Sequence, residues 1–381
     1  MSGPRKDFSK VPGVVIDHSP ATLEKYIGSP SIVVTGDGEL VASHDYFGPG
    51  GDRGRYNSMV VFGSSDGGSS WQKLASIDGQ FWSNLFCHRG ELYLMGTSGR
   101  NQDITIRRST DGGRNWTVPG DGQSGVLTRG IYHTAPVPTV IHGGRVWRAM
   151  ENREMGGHRP FIMSAPVDED LLMASSWSFS DERSKGPEED PRLRSWREGN
   201  AVAKPDGRMC IVMRVGLLEG HGTAAMINVS DDGGRLSFDP GRDYLNFPGG
   251  SGKKFTIRFD KETGRYWSVV NPIHPADLEY LEGKNSGKFR NCLAVSSSQD
   301  LVNWTVNGVI AYHPEYLHHG FQYPDWVPDG DDMLLVSRTS YDDGLGGAVK
   351  THDANFLTFH RVPGFRDLAD VEFDWRRVRA Y

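Results

Sequence analysis

The amino-acid sequence predicts an all-β fold, a β-propeller of four-stranded antiparallel blades. Three observations support this prediction: a hairpin pattern recurs along the chain, a second turn motif follows it at equivalent places, and helical periodicity is nearly absent. Closed all-β architectures often run longer than an average domain, so 381 residues are compatible with one domain. We expect a single propeller domain over residues 1–381.

The recurring hairpin consists of an apolar strand, a tight glycine turn and a second strand of alternating character. Its six copies read SIVVTGDGELVAS, SNLFCHRGELYLMG, PVPTVIHGGRVWRAM, NAVAKPDGRMCIVMRV, TIRFDKETGRYWSVV and PDWVPDGDDMLLVSR. Their turn glycines are Gly38, Gly90, Gly144, Gly207, Gly264 and Gly330, and successive ones lie 52 (Gly38 to Gly90) to 66 (Gly264 to Gly330) residues apart. Each interval has room for two further strands, which makes one unit the size of a propeller blade.

Six hairpins indicate six blades. The two ends of the chain, residues 13–17 and 371–378, also have the character of strands. They could close the ring or build part of a seventh blade, because each blade buries its faces only against its neighbours. The pattern alone leaves six and seven blades open.

A second turn motif supports the propeller. Complete S-x-D-x-G-x-x-W copies occupy residues 64–71 and 109–116, and degenerate copies begin at Ser230 and Ser298. The aspartate side chain can accept bonds from backbone amides, glycine supplies the positive φ, and the aromatic ring covers the strands. The motif, called an Asp-box, therefore predicts a repeated hairpin turn.

Composition argues against several classes of protein. A net charge of −6 and a pI near 6.1 disfavour a nucleic-acid partner. No stretch approaches the roughly 18 apolar residues of a membrane span, and residues 1–10 lack the apolar core of a signal peptide. Nucleotide, dinucleotide and zinc-protease motifs are absent. We expect a soluble monomer without a membrane partner, secreted or periplasmic if a leader was removed and otherwise cytoplasmic.

Blade geometry sorts the polar residues by face. The start of each first strand and the end of each second strand share one face, whereas the glycine turns and the Asp-boxes lie at the other. Candidate site residues on the shared face are His44, Tyr132, His133, Arg148, Glu198, Asn200, Arg214, His319, Tyr323 and Arg338. We expect these side chains to converge on a common mouth.

Three of these residues, Arg148, Arg214 and Arg338, end equivalent second strands in three blades. The guanidinium fork suits a carboxylate, so their convergence predicts a clamp for an anionic ligand, although each arginine could instead pair with a local acid. His44 and Tyr132 enter the same mouth, and both side chains suit proton transfer.

The chain resembles the Asp-box propellers called sialidase-like, and most closely their polysaccharide-lyase branch of ulvan and rhamnosyl-glucuronate lyases. The resemblance rests on the segments GSPSIVV, SHDYFGPG, YHTAPVP, GRVWRAME, EGNAV, FQYPDW and LLVSRTS. It implies seven blades and β-elimination at a uronic acid in a rhamnose–glucuronate type linkage. The spacing of Tyr132 and Arg148 matches a tyrosine and an arginine of that branch.

The resemblance implies a division of roles among the candidates. The catalytic residues would be His44, Tyr132, His133 and Arg148. The substrate-binding residues would be Glu198, Asn200, Arg214, His319, Tyr323 and Arg338. Arginine would neutralise the uronate carboxylate, and His44 and Tyr132 would exchange protons with C5 and the departing O4.

Two alternatives share the same face. One is a glycoside hydrolase, sialidase-like or a rhamnosidase, with Tyr323 and Glu198 as its catalytic pair; true sialidases, however, begin their first blade with Arg-Ile-Pro, where this chain has Ser29-Pro30-Ser31-Ile32. The other is a propeller that binds glycans without turnover. In each case the ligand is an acidic oligosaccharide or polysaccharide, no cofactor is required, and a structural divalent cation such as calcium is compatible with the fold.

Overall fold

The computed structural model describes residues 5–50, 57–369, 371 and 373–377. Within these ranges it confirms the all-β propeller, with six antiparallel sheets of four or five strands each. Blades 1 to 6 follow one another along the chain, and only the last blade combines distant segments. The six hairpins counted in the sequence are thus the inner halves of six blades.

The strands are assigned to blades as follows. The amino-terminal strand is β1 (Val14–His18). Blade 1 contains β2 (Tyr26–Ile27), β3 (Ser31–Val34), β4 (Leu40–Phe47), β5 (Ser58–Ser64) and β6 (Gln72–Asp78). Blade 2 contains β7 (Phe81–His88), β8 (Glu91–Thr97), β9 (Ile104–Ser109) and β10 (Val126–Thr128). Blade 3 contains β11 (Tyr132–His133), β12 (Val140–His142), β13 (Arg145–Asn152), β14 (Arg159–Pro166) and β15 (Ser178–Phe179).

The second half of the chain repeats this pattern. Blade 4 contains β16 (Leu193–Ala203), β17 (Met209–Leu217), β18 (Thr223–Val229), β19 (Leu236–Ser237) and β20 (Tyr244–Asn246). Blade 5 contains β21 (Thr256–Asp260), β22 (Arg265–Val270), β23 (Cys292–Ser298) and β24 (Thr305–Tyr312). Blade 6 contains β25 (Gly320–Asp329), β26 (Asp332–Ser340), β27 (Phe356–Val362) and β1.

Helical segments are short. The α-helix α1 spans Gly186–Glu189. Single 3₁₀ turns span Ala21–Leu23, Ala174–Ser176, Pro275–Tyr280, Ser286–Lys288, Phe365–Leu368 and Trp375–Arg377. In the described part of the chain, no helix is long and apolar enough to cross a membrane.

The ring closes through the amino terminus. Strand β1 pairs antiparallel with β27, with Val14 opposite Phe359, and so becomes the outermost strand of blade 6. Asp17 of β1 then contacts His44 of blade 1, Oδ2 to Nε2 3.0 Å. The expectation of a seventh blade is therefore wrong for this chain, because its amino-terminal strand completes the sixth. The carboxy-terminal strand expected over residues 371–378 is also wrong in its described part, where Trp375–Arg377 form a 3₁₀ turn; the remainder lies outside the described residues.

The core is divided into six hydrophobic clusters, and each cluster lies between two neighbouring blades. The cluster between blades 6 and 1, for example, joins Leu334 and Phe359 to Ile32 and Val60. A four-stranded sheet that buries both faces in this way cannot be stable alone, so the closed ring holds all six blades together.

The Asp-boxes form the turns that the motif predicts. In the first box, Ser70 N donates to Asp66 Oδ1 (2.9 Å), and Trp71 Nε1 donates to Gly68 O (3.1 Å). Gly68 has a φ of 91°. Ser64, the first residue of the box, pairs with Leu40 at the glycine-turn end of β4. The boxes and the glycine turns therefore share one end of the blades, as expected.

Candidate active site

A cavity of about 460 Å³ opens on the face opposite the Asp-boxes, and we call it the central pocket. Strand ends and connections from blades 1, 2, 3, 4 and 6 surround it. Among the residues that line it are Asp45, Trp82, His133, Glu198, Tyr323 and Arg338. Four of these six were predicted, and Asp45 is adjacent to the predicted His44, so the face predicted from blade geometry is the face that carries the pocket.

Irregularities in the backbone orient three of these side chains. Trp82, Glu198 and Tyr323 have φ angles of 48°, 53° and 54°, a region that side-chain-bearing residues rarely adopt. Each lies at a break in register between the first two strands of its blade: β7 and β8, β16 and β17, or β25 and β26. Bulges of this kind re-aim side chains near functional sites, and the same device occurs here in blades 2, 4 and 6.

Tyr323, Glu198 and Arg214 form one hydrogen-bonded unit. The Tyr323 hydroxyl donates to Glu198 Oε1 (2.9 Å), and Arg214 Nη1 donates to Glu198 Oε2 (2.5 Å) and to Tyr323 Oη (3.2 Å). Burial opposes the charge on Glu198, but the Arg214 guanidinium outweighs it and lowers the pKa of Glu198 to about 2. Glu198 is therefore ionised at neutral pH and can accept the Tyr323 proton.

Two further arginines stand over the same tyrosine. The guanidinium carbon of Arg338 lies 4.9 Å from the centre of the Tyr323 ring and 4.5 Å from that of Phe47, and the guanidinium of Arg290 lies 5.8 Å from the Tyr323 ring. Burial, reinforced by Arg214 and Arg338, lowers the pKa of Arg290 to about 10. All three arginines are still cations at neutral pH, so the surroundings of Tyr323 attract an anion.

Asp45 provides a carboxyl group that forms no ion pair with another of the described residues. Its Oδ1 accepts from Ser29 N (2.7 Å) and its Oδ2 from Trp82 N (2.8 Å). Burial raises the pKa of Asp45 to about 6, although these amides and the nearby His44 and Arg338 oppose the shift. A carboxyl group that holds its proton to near pH 6 is suited to donate it to a leaving group.

His133 lines the central pocket, as predicted. Its Nδ1 lies 2.6 Å from Glu151 Oε2, and its ring meets those of Trp82 (4.4 Å) and His158 (4.7 Å) edge to face. Burial, with His133 and Arg197 close by, lowers the pKa of His158 to about 2. His158 is thus neutral at neutral pH and adds no positive charge to the pocket.

His44 does not reach the pocket. It is completely buried, and its ring nitrogens contact Asp17 Oδ2 (3.0 Å) and Asp45 O (2.9 Å). Because successive side chains of a strand point to opposite faces, Asp45 points into the pocket and His44 points into the core. A proton-transfer role for His44 at a substrate is not supported, since its ring joins blade 1 to β1.

The pair carried over from the lyase branch is also placed away from the cavity. Arg148 is fully buried, and its guanidinium donates to Thr134 Oγ1 (3.1 Å), to Ala135 O (2.8 Å) and to Val137 O. Tyr132 packs on Phe161, and its hydroxyl lies 3.4 Å from Thr128 Oγ1. Neither residue lines the central pocket, so the structure does not bring this pair to the site of the other candidates.

Two predicted substrate-binding residues have other surroundings. Asn200 is fully buried, accepts from Ile257 N (2.9 Å) and so links blades 4 and 5. His319 contacts Glu315 Oε2 (2.8 Å) and stacks on His313 at 3.7 Å, in a separate recess. Of the three arginines expected to converge, Arg214 and Arg338 reach the region of Tyr323.

Sequence reasoning missed Asp45, Arg197 and Arg290. Arg290 lies two residues before the third strand of blade 5, and third strands begin on the pocket face, so the same geometric rule would have found it. To predict Asp45, one would have to know which side chains of β4 face the pocket and which face the core, and the hairpin motif does not reveal this. No group of three or more His, Cys, Asp or Glu side chains in the described residues is placed to hold a metal ion, and the predictions on cofactors stay predictions.

Comparisons with known proteins concern the fold. No protein-family model matches the chain, and no curated protein matches it. An α-L-arabinanase from Penicillium chrysogenum complexed with arabinobiose has a TM-score of 0.58 at 15% sequence identity, covering 97% of this chain and 100% of that one. An α-L-arabinofuranosidase from Fusarium graminearum has a TM-score of 0.61 at 12% sequence identity, covering 94% of this chain and 98% of that one. A sialidase from Trypanosoma rangeli in complex with sialic acid gives 0.59 at 15%, covering 97% of this chain and 60% of that one.

Identities of 12–15% establish a common fold and leave activity to be argued from the site. The resemblance to sialidase-like propellers is thus confirmed for the fold. A relationship to the lyase branch is not shown. The chain shares its propeller with structures named as carbohydrate-active enzymes.

Proposed function

We propose that this protein is a retaining glycoside hydrolase that acts on an anionic sugar, with Tyr323 as its nucleophile. The observation that carries the proposal is the unit of Tyr323, Glu198 and Arg214, with Tyr323 Oη 2.9 Å from Glu198 Oε1, at the edge of an open pocket. Sialidases are retaining glycosidases that use a tyrosine nucleophile, and a sialidase is among the structural neighbours.

The chemical logic of a tyrosine nucleophile fits the charge of the site. Arg214, Arg290 and Arg338 favour a sugar that carries a carboxylate or another anionic group. A carboxylate nucleophile would repel such a sugar, whereas a neutral phenol does not. The negative charge that develops on Tyr323 Oη during attack is met by Arg214 Nη1 at 3.2 Å.

The reaction proceeds in two displacements. In the first, Tyr323 Oη bonds to the anomeric carbon while its proton passes to Glu198; the glycosidic C–O bond breaks, and Asp45 gives its proton to the departing oxygen. In the second, water attacks the same carbon and gives its proton to Asp45. The bond to Tyr323 breaks, and Tyr323 recovers its proton from Glu198. Two inversions leave the anomeric configuration unchanged.

The lyase predicted from the resemblance has less support. It requires a reachable arginine beside a proton-transfer tyrosine, and Arg148 and Tyr132 do not line the pocket. The pair that does meet at the pocket is Tyr323 with Glu198, which belongs to the hydrolase alternative.

Product analysis tests the proposal. The enzyme is incubated with 4-methylumbelliferyl glycosides of N-acetylneuraminic acid, glucuronic acid and arabinofuranose, and separately with ulvan. We expect release of methylumbelliferone from an acidic glycoside, with the retained anomer appearing first in the proton NMR spectrum. Release from the neutral arabinofuranoside alone would refute the anionic substrate. A UV-absorbing unsaturated uronate from ulvan, without hydrolysis of any glycoside, would refute the hydrolase and favour the lyase.

A further inference from the structure

A second cavity, of about 600 Å³, adjoins the central pocket, and we call it the side groove. Arg197 and His352 border both cavities. Arg214 borders the side groove and contacts Glu198 and Tyr323 through Nη1. The two cavities therefore meet at Arg197 and His352, and the side groove lies next to the site where the first sugar contacts Tyr323.

The side groove is strongly cationic although the protein as a whole has a net charge of −6. The basic residues on its wall are Arg194, Arg197, Arg214, Lys288, Arg290 and Lys350. None of the described residues on this wall is acidic. Low-dielectric walls lined with one sign of charge concentrate ligands of the opposite sign.

Three of these cations are available to a ligand. Arg194, Arg197 and Lys288 are exposed, and none of them forms an ion pair with another residue in the described ranges. Arg214, in contrast, is already paired with Glu198, and Lys350 Nζ lies 3.1 Å from Asp353 Oδ2. Positive charge without an acidic partner among the described residues therefore extends along the groove, beyond Arg290, which stands over the Tyr323 ring.

The groove also has the shape of a sugar site. Tyr316 borders it, with its ring held by stacking on Phe289 at 4.4 Å and 21°. An aromatic ring fixed in this way offers an apolar face to a sugar. Two backbone segments of the groove wall approach each other closely at glycines, because a Cβ on Gly252 would lie 3.0 Å from Gly287 Cα.

From this geometry we propose that the side groove binds a second anionic sugar, joined to the sugar that is cleaved. The inference rests on the proposed function and deepens it: the substrate is an oligosaccharide with a carboxylate or sulfate on each of two adjacent residues. The groove holds the neighbouring sugar residue, and Arg194, Arg197 and Lys288 contact its anionic group.

Binding measurements test the groove separately from turnover. The Tyr323→Phe protein is titrated calorimetrically with trigalacturonate, with sulfated maltotriose and with neutral maltotriose. The same titrations are made after adding Arg194→Ala with Lys288→Ala, and, as a control, Lys73→Ala with Arg114→Ala near the Asp-boxes. The two anionic probes distinguish a carboxylate from a sulfate, and maltotriose reports binding that needs no charge.

We expect at least one anionic probe to bind more tightly than maltotriose and to weaken as salt increases. The groove pair should reduce its affinity about tenfold, and the control pair should leave it unchanged. Equal affinity for anionic and neutral probes, or equal affinity in groove and control variants, would overturn the inference. Failure of wild-type enzyme to hydrolyse any glycoside, with groove-dependent binding intact, would refute the proposed function alone.

Discussion

Replacing Tyr323 with phenylalanine removes one oxygen and leaves the rest of the site in place. The hydroxyl makes contacts of 2.9 Å to Glu198 and 3.2 Å to Arg214, and these two residues also pair directly with each other at 2.5 Å, a contact that does not involve the hydroxyl. The loss of stability should therefore stay near 1–2 kcal/mol, as for a hydrogen bond to a charged group. Loss of the nucleophile should reduce kcat on the order of 10³-fold or more, which corresponds to about 4 kcal/mol in the barrier.

The matched comparison is Tyr132→Phe. Its hydroxyl lies 3.4 Å from Thr128 Oγ1 and outside the central pocket, so the hydrolase proposal expects nearly unchanged kcat/KM and a stability change below about 1 kcal/mol. Both variants are assayed with the best methylumbelliferyl glycoside and unfolded in guanidinium chloride. Activity of Tyr323→Phe within tenfold of wild type would refute the reasoning, and a selective loss in Tyr132→Phe would show that the reaction depends on Tyr132 instead.

Three further outcomes follow from the contacts of the site and the ring closure. The pKa of Asp45, raised to about 6 by burial, should make kcat/KM fall as the pH rises beyond 6, and Asp45→Asn should abolish that limb of the pH–rate profile. Gly28→Ala would place a Cβ 1.6 Å from Asp45 Oδ1 and should reduce kcat at least about tenfold by displacing this carboxyl group. Although burial opposes its ionisation, hydrogen bonds from His44 and Tyr46 lower the pKa of Asp17 from 3.8 to about 2; Asp17→Asn should therefore cost about 2 kcal/mol of stability at pH 7 and little at pH 2, measured by denaturant unfolding.

Each of these outcomes has its own control. Gly36→Ala, whose Cβ would meet nothing within 4 Å, should leave stability within about 0.5 kcal/mol and activity unchanged. A pH–rate profile with no ionisation between pH 5 and 7 would remove Asp45 from the acid role. Because folding lowers the pKa of Asp17, its charge stabilises the folded state above pH 3.8, the pKa in the unfolded chain, and this stabilisation is lost as the pH falls through 2. An equal stability loss at both pH values would show that packing, not charge, is responsible.

Within the site, prediction from sequence worked for residues whose position follows from the hairpin pattern alone. Tyr323, Glu198 and Arg338 lie near the pocket ends of their strands, and counting along the hairpin was enough to place them on the right face. The same counting selected His44 in place of Asp45. Side-chain parity decides between adjacent positions on a strand, and a one-residue change of register sends every side chain to the other face.

Arg148 shows a second limit. It lies in the middle of its strand, four residues after Gly144, whereas Arg214 and Arg338 lie seven and eight residues after their turn glycines. Its guanidinium is closed in by Thr134, Ala135 and Val137. The polypeptide before β13 passes over Arg148, and its backbone carbonyls accept hydrogen bonds from the guanidinium. Whether an arginine donates to backbone carbonyls or lines a pocket depends on the path of the neighbouring segment, and composition and spacing do not specify that path.

The amino-acid sequence by itself determined the all-β class, the six hairpins and the Asp-box turns, because strand alternation and glycine turns are set by residues close together along the chain. Tertiary structure decided what lies between distant segments. The pairing of β1 with β27 completed the sixth blade, and bulges with positive φ turned Glu198 and Tyr323 toward each other across 125 positions of sequence. Packing of the blades also placed a basic cavity beside the central pocket. These contacts depend on the packing of all six blades around one axis, and no local pattern encodes that arrangement.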